Sequence, residues 1–320
     1  MKHIFTLCIL LLVLPGCAVQ MKFFPDATDP LQEYVLEGKG HNKIAYITCT
    51  GIVSDSPSRG IVSTRPSMVD DVVSRLKLAE ADPAVKAVVL AIDSPGGSAT
   101  ASDVLYYEIN TFKARSGKKV VAVMLDMAAS GGYYIALPAD RILAHPTTVT
   151  GSVGAVFYQP RVSGLMDKIG VEVEVARSGR NKDMGSPFRQ STDEEREITQ
   201  GIIDKLAGRF LMLTQQHRNL SDKALAEVGT ARVFTGPEAL SLGLVDQIGY
   251  LADGFAAARE LAGLPEASQV VVYRRELYPN DNPYNTQASA QPYAPSLLGV
   301  DANWLLPPRS GFNYLWLPGQ

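Results

Sequence analysis

The sequence predicts an α/β protein built from parallel strand–helix–strand units. Two short, continuously apolar runs at 85–92 and 119–125 have the character of strands buried on both faces. Segments with apolar residues at helical spacing, 67–80 and 101–114, lie before each of them. Both runs lead into glycine turns, Pro95-Gly96-Gly97 and Ser130-Gly131-Gly132, where a strand hands over to a helix.

In chain order, residues 1–16 read as a signal peptide. Lys2 supplies the positive start and residues 4–14 an apolar run too short to span a bilayer of about 30 Å. Leu14-Pro15-Gly16-Cys17 resembles a bacterial lipobox, which makes Cys17 the expected lipidation site and the membrane the expected partner of the mature N-terminus. Ala18 is not aspartate, which favours the outer membrane if the source is a Gram-negative bacterium. Either way the protein is expected in the cell envelope, facing the periplasm or the extracytoplasmic side. Residues 17–42 are polar and irregular and read as a tether.

The domain is expected to occupy 43–265. Residues 44–50 read as a strand, and the helix over 67–80 stops at Asp82-Pro83. After the strand at 119–125 comes the Ser130 turn, then a short helix closed by Pro138 and a strand at 141–144. Val171-Glu172-Val173-Glu174-Val175 alternates and reads as a half-exposed strand. Thr192-Asp193-Glu194-Glu195 has capping-box spacing and opens a long amphipathic helix to about Arg218. Two further helices fall within 236–262, joined at 244–249. Residues 266–320 form an extension: 279–303 is rich in Pro, Asn, Ala, Ser and Gln, whereas 304–318 is apolar and holds both tryptophans. That tail either packs on the domain or a neighbouring subunit, or contacts a membrane surface or a substrate groove.

The composition is that of a globular protein, 46% apolar and 20% charged, and a net charge of −3 without a basic stripe excludes a nucleic-acid partner. Cys49 alone of the three cysteines remains in the domain, so neither a disulfide framework nor a metal set can be assembled, and no cofactor is expected.

Three segments point to acyl-transfer chemistry. Ser130 sits at a tight turn with backbone N–H groups facing the same way; read alone, the same small residues can simply pack a turn. Gly97 and Gly131 are candidates for an oxyanion hole, although a Pro-Gly-Gly turn is also an ordinary helix start. Lys182 is a candidate base if a low-dielectric cleft lowers its pKa, against the commoner fate of a solvated lysine. Ser152, in Thr150-Gly151-Ser152-Val153-Gly154, can orient the amine or cap a loop.

Together, Asp93-Ser94-Pro95-Gly96-Gly97, Ala128-Ala129-Ser130-Gly131-Gly132-Tyr133-Tyr134, Thr150-Gly151-Ser152-Val153-Gly154 and Lys182-Asp183-x-x-Ser186-Pro187 resemble the signature set of the signal peptide peptidase A family, the S49 serine peptidases, over roughly 43–265. The resemblance implies the ClpP/crotonase-like fold, Ser130 as nucleophile, Lys182 as general base, Gly97 and Gly131 at the oxyanion hole and Ser152 beside the lysine. It also implies a homo-oligomeric ring in which Lys182 serves the Ser130 of an adjacent protomer, because long relatives carry the two residues in different tandem copies. The expected activity is that of a membrane-associated endopeptidase acting on hydrophobic peptides, such as signal-peptide remnants or membrane-protein segments. The substrate strand is expected to pair beside Ser98 and beside Gly154, Ala155 and Val156. ClpP itself would need a histidine about 25 residues after the serine, and His145 lies too close. Crotonase-type acyl-CoA enzymes would not need both Ser130 and Lys182. A non-catalytic, peptide-binding lipoprotein of the same fold is the remaining alternative, separated by whether Ser130→Ala and Lys182→Ala abolish cleavage.

Overall fold

A computed structural model describes residues 29–59, 64–284 and 311–317. Its centre is a mixed sheet of nine strands among the described residues. In chain order the strands are β1 (Gln32–Glu37), β2 (Lys43–Thr50), the two-residue pair β3 (Ser58–Arg59) and β4 (Thr64–Arg65), β5 (Val85–Ser94), β6 (Gly96–Ser98), β7 (Lys119–Ala129), β8 (Arg141–Ala144), β9 (Val149–Gly151), β10 (Val156–Tyr158), β11 (Val233–Thr235), β12 (Gln247–Ile248), β13 (Gln269–Arg274) and β14 (Gly311–Leu315). The main sheet runs β1-β13-β2-β5-β7-β8-β12, with β9 on the far half of β7 and β11 on β9. The neighbours β13, β2, β5, β7 and β8 are parallel; β1 is antiparallel at one edge.

Strand parity divides the core. Ile47, Leu90, Ile92, Ala122 and Met124 face one layer, which includes Leu105 and Phe112 of α2 (Ala99–Ser116). Tyr46, Val89, Ala91, Val121 and Val123 face the other, against Leu251, Phe255 and Ala258 of the helix Leu251–Ala262. Burial on both faces explains why the central strands are unbroken apolar runs. The helices begin where their caps dictate. Ser67 accepts from Asp70 N–H to open α1 (Met68–Ala81), Ser98 accepts from Ala101 N–H to open α2, and the Thr192/Glu195 capping box opens the 26-residue helix Asp193–Arg218.

Three strands lie outside the expected domain: β1, β13 and β14. Residues 32–37, expected within the tether, form β1, and 269–274, expected within the extension, form β13, which inserts between β1 and β2. Val270, Val271 and Val272 fill that slot and are buried. The alternating segment 171–175 forms no strand. It has no neighbour to pair with among the described residues, and Val171, Val173 and Val175 are all exposed. Among those residues no helix is long and apolar enough to cross a membrane.

Candidate active site

The site is built at the carboxyl ends of β5 and β7. Their register shifts between Ile92 and Ser94: Ile92 pairs Met124, but Ser94 pairs Ala128. The extra β7 residues form a bulge, fastened where the Asp93 carboxylate accepts from Met127 N–H at 3.3 Å. Burial raises the pKa of this carboxyl, and the charge of Asp126 adds to the effect. Beyond the bulge β7 leaves β8 and pairs with β9.

Ser130 follows at once, with φ 52° and ψ −117°, a conformation that L-residues avoid. Its N–H donates to Gly151 O at 2.7 Å, and its carbonyl accepts from Tyr134 N–H to start the helix α3 (Gly131–Ala136). The hydroxyl makes no capping bond to that helix. The serine stands strained between a strand and a helix, with the first helical N–H groups beside it.

The glycines around it are required by close approach. A Cβ on Gly131 would lie 2.5 Å from Ser102 Oγ, and one on Gly132 would lie 2.5 Å from Ser94 O. One on Gly97 would lie 2.1 Å from Val53 O. Val53 donates to Gly96 O at 2.8 Å and accepts from Ser98 N–H at 2.9 Å. The N–H and carbonyl of Gly97 are thereby left on the opposite edge of β6, facing the cleft. A Cβ on Gly96 would come within 2.6 Å of Gly131 N, so the two turns meet. Gly97 N–H and the N-terminus of α3 thus frame one small volume next to Ser130, suited to a developing oxyanion.

Ser152 is buried one residue beyond Gly151, also at φ 52°, and its N–H donates to Arg232 O at 2.8 Å. Lys182 occupies an exposed turn at 179–185, and no hydrogen bond or ion pair holds its ammonium among the described residues. Among the described residues no hydrogen bond joins it to Ser130. The neighbouring Asp183 does not face it. Arg177 Nη1 donates to the Asp183 carboxylate at 2.6 Å and Arg189 Nε at 2.8 Å. Those two guanidinium groups hold Asp183 well below the usual carboxylate range. Arg189 also donates to Glu195 Oε2 at 2.9 Å, which brings that carboxyl down to about 2. The lysine segment is therefore tied to the start of the Asp193–Arg218 helix.

Two features were not read from the sequence. Tyr134 Oη donates to Asp103 Oδ1 at 2.6 Å, and Arg209 binds the same carboxylate at 2.7 Å, which fixes the Tyr134 ring beside the site. The Tyr-Tyr after Gly131-Gly132 was the available signal. The second is β14, which pairs antiparallel with both β6 and β10. Its residue Asn313 lies opposite Ser98 on one side and Val156 on the other, whereas Gly154 and Ala155 precede β10 and pair with nothing in β14.

Comparison with known proteins agrees with this geometry. The model of peptidase family S49 matches residues 113–265, which include Ser130 and Lys182, and the Clp protease model matches 61–151, which include both glycine turns. A protein of Enterococcus faecium named as a signal peptide peptidase SppA is 31% identical over 255 residues, covering 80% of this chain and 74% of that protein. The chloroplastic serine protease SPPA of Arabidopsis thaliana is 33% identical over 236 residues, 73% of this chain and 34% of that one. Protease 4 of Salmonella typhi is 36% identical over 197 residues, 62% of this chain and 32% of that one. With a ClpP-like α/β sheet carrying the Ser130 turn, the chain belongs to peptidase family S49, the signal peptide peptidase A family, and is a serine peptidase.

Proposed function

We propose that this serine peptidase is an envelope-anchored endopeptidase that cleaves hydrophobic peptides with a Ser130/Lys182 dyad, the lysine coming from a second copy of the chain. The observation that carries the reading is that no hydrogen bond joins the two groups among the described residues. Ser130 stands in a strained turn beside oxyanion donors, while the Lys182 side chain is exposed and makes no hydrogen bond or ion pair among the described residues, with Asp183 bound by Arg177 and Arg189. An exposed apolar row beside the lysine segment (Leu165, Ile169, Val171, Val173 and Val175) is the kind of surface a second protomer covers. Burial of Lys182 in that contact would disfavour its charged form and free the amine to act as a base.

In the reaction, Ser130 Oγ attacks the peptide carbonyl as Lys182 takes the hydroxyl proton. Gly97 and Gly131 N–H groups stabilise the oxyanion, and Ser152 orients the amine. Lys182 returns the proton to the leaving amine and then deprotonates the water that releases the acyl group. Lipid on Cys17 would hold the domain at the membrane, on the outer membrane in a Gram-negative source.

The test is complementation. Ser130→Ala and Lys182→Ala chains are each expected to be inactive on an unstructured hydrophobic peptide, and their mixture to regain part of the wild-type rate. Cleavage that persists in either single variant removes the dyad. A mixture as inactive as its components removes delivery of the lysine by a second copy.

A further inference from the structure

Ser94 closes β5 at the glycine turn and has no part in the chemistry described so far. It is fully buried, and its Oγ accepts from Gly96 N–H at 3.1 Å. The bond reaches two residues on, across Pro95, which has no N–H of its own to offer. Gly96 is itself buried, with φ 95°, so its amide cannot turn to water for an acceptor. The serine hydroxyl oxygen therefore fixes the peptide unit that enters Gly96.

The unit that leaves Gly96 carries the oxyanion donor. Gly96 O accepts from Val53 N–H at 2.8 Å. In a trans peptide the carbonyl and the following N–H point in opposite directions, so this bond aims Gly97 N–H away from Val53. The freedom that remains is rotation within Gly96, which no side chain of its own restrains. Val53 holds one of its two peptide planes and Ser94 Oγ holds the other, and together they set the direction of Gly97 N–H.

Ser94 also bears on the second donor. A Cβ on Gly132 would lie 2.5 Å from Ser94 O and 3.3 Å from Ser94 Cβ, so the first turn of α3 rests on this residue. A Cβ on Gly96 would lie 2.6 Å from Gly131 N, so the glycine that Ser94 fixes is in contact with that donor. Ser102 is as deeply buried, but it donates its hydroxyl proton to Ser98 O at 2.9 Å, at the start of its own helix. Ser94 has its hydrogen bond in one turn and its packing in the other.

The geometry points to Ser94 as a positioning residue for the oxyanion hole: by holding Gly96 N–H, its hydroxyl oxygen sets Gly97 N–H where the substrate carbonyl oxygen becomes negative. The inference rests on the proposed oxyanion role of Gly97 and Gly131, and it gives Ser94 no contact with substrate. Loss of the hydroxyl should therefore weaken binding of the transition state and spare binding of the peptide.

The test compares full-length wild-type, Ser94→Ala and Ser94→Thr chains in cleavage of an unstructured hydrophobic peptide and in inhibition by two analogues of it. One analogue ends in an aldehyde. Ser130 Oγ bonds to the aldehyde carbon, the hydroxyl proton passes to the base, and the C=O π pair moves to oxygen and leaves an oxyanion in the hole. The other ends in a carboxamide and forms no adduct. Ser94→Ala is expected to lower kcat/KM and aldehyde affinity each by about tenfold or more, a smaller loss than the ~10²–10³ of a donor removed outright, with carboxamide affinity kept within about twofold. Ser94→Thr keeps the acceptor and should recover most of both. Equal weakening of aldehyde and carboxamide makes Ser94 a packing residue and overturns the inference, as does an alanine chain that matches wild type in all three readouts. Gly97→Ala, measured alongside, separates this result from a failure of the oxyanion assignment. If Gly97→Ala also leaves kcat/KM and aldehyde affinity unchanged, the assignment itself falls; if it lowers them while Ser94→Ala does not, only the role of Ser94 is removed.

Discussion

Strain at Ser130 makes a quantitative prediction that separates backbone geometry from chemistry. Ser130 has φ 52° and ψ −117°, between the left-handed helical well and the extended region reserved for glycine. Conformations of this kind cost an L-residue of the order of 1–3 kcal/mol, and this one, outside the helical well, belongs to the upper half of that range. Ser130→Gly removes that cost. Against it stand about 0.4–1 kcal/mol for the freer unfolded chain and about 0.8 kcal/mol for the lost burial of one carbon. Ser130→Ala keeps the strain and the carbon. Both variants lack the hydroxyl, so both should be inactive, yet the glycine chain should be the more stable by about 1 kcal/mol. For a chain of this size that corresponds to about 2 °C in Tm. Parallel chemical and thermal unfolding of the two variants at one protein concentration measures the difference. An alanine variant as stable as the glycine variant, or more so, would refute the claim that strain is stored at this position.

Gly97→Ala should lower kcat/KM by about 10²–10³, as expected when an oxyanion donor is displaced, because the new Cβ meets Val53 backbone at 2.1 Å and neither strand can yield cheaply; steady-state kinetics on a peptide substrate reads it. Arg189→Met removes the bridge from Asp183 of the lysine segment to Glu195 of the Asp193–Arg218 helix, and a misplaced base should cost about 10²-fold in kcat while the secondary structure seen by circular dichroism is retained. Unfolding across an acid pH series should reveal Asp246. Burial opposes its ionisation, but the bonds from Arg218 and Ile142 N–H prevail and its pKa is lowered. A folded value below the unfolded one means its stabilisation is complete above about pH 4 and is lost as pH falls through the folded value. Asp246→Asn should therefore be less stable at neutral pH and show a flatter acid limb; an unchanged limb would remove this carboxylate as a source of acid sensitivity.

What could be read from the sequence was local. Ser67, Thr192 and Glu195 announce helix starts through side-chain-to-backbone bonds within three residues, and the observed helices begin beside them. The glycine turns at Gly97 and Gly131 are legible for the same reason, since a glycine run marks where backbones must approach. The placement of β13 is not local. Val270-Val271-Val272-Tyr273 has strand character, but its position between β1 and β2 is set by partners more than 200 residues away. The 171–175 alternation misleads because a period of two states what a strand would expose and not whether another strand is there to pair. β14 combines both difficulties: it is five residues long, and its sense comes wholly from the β6 and β10 edges it joins. Likewise the sequence offers Lys182 as a base but cannot say whether a hydrogen bond joins it to Ser130, and none does among the described residues.

The antiparallel course of β1 has a consequence for where the enzyme can work. Gln32 pairs with Arg274 at the carboxyl end of β13, and Arg275 Nε donates to Asp29 O at 2.8 Å, so the chain enters the sheet from the end that carries Ser130. β1 is four strand positions from β7, a lateral offset of about 20 Å. Asp29 is twelve positions beyond Cys17, and a fully extended chain of that length reaches about 40 Å. If Cys17 carries lipid, as proposed, Ser130 would lie within about 60 Å of the bilayer, on the side of the sheet at which β1 begins. Segments emerging from the membrane would then meet the cleft at high local concentration, whereas a soluble peptide would meet it only on entering that layer.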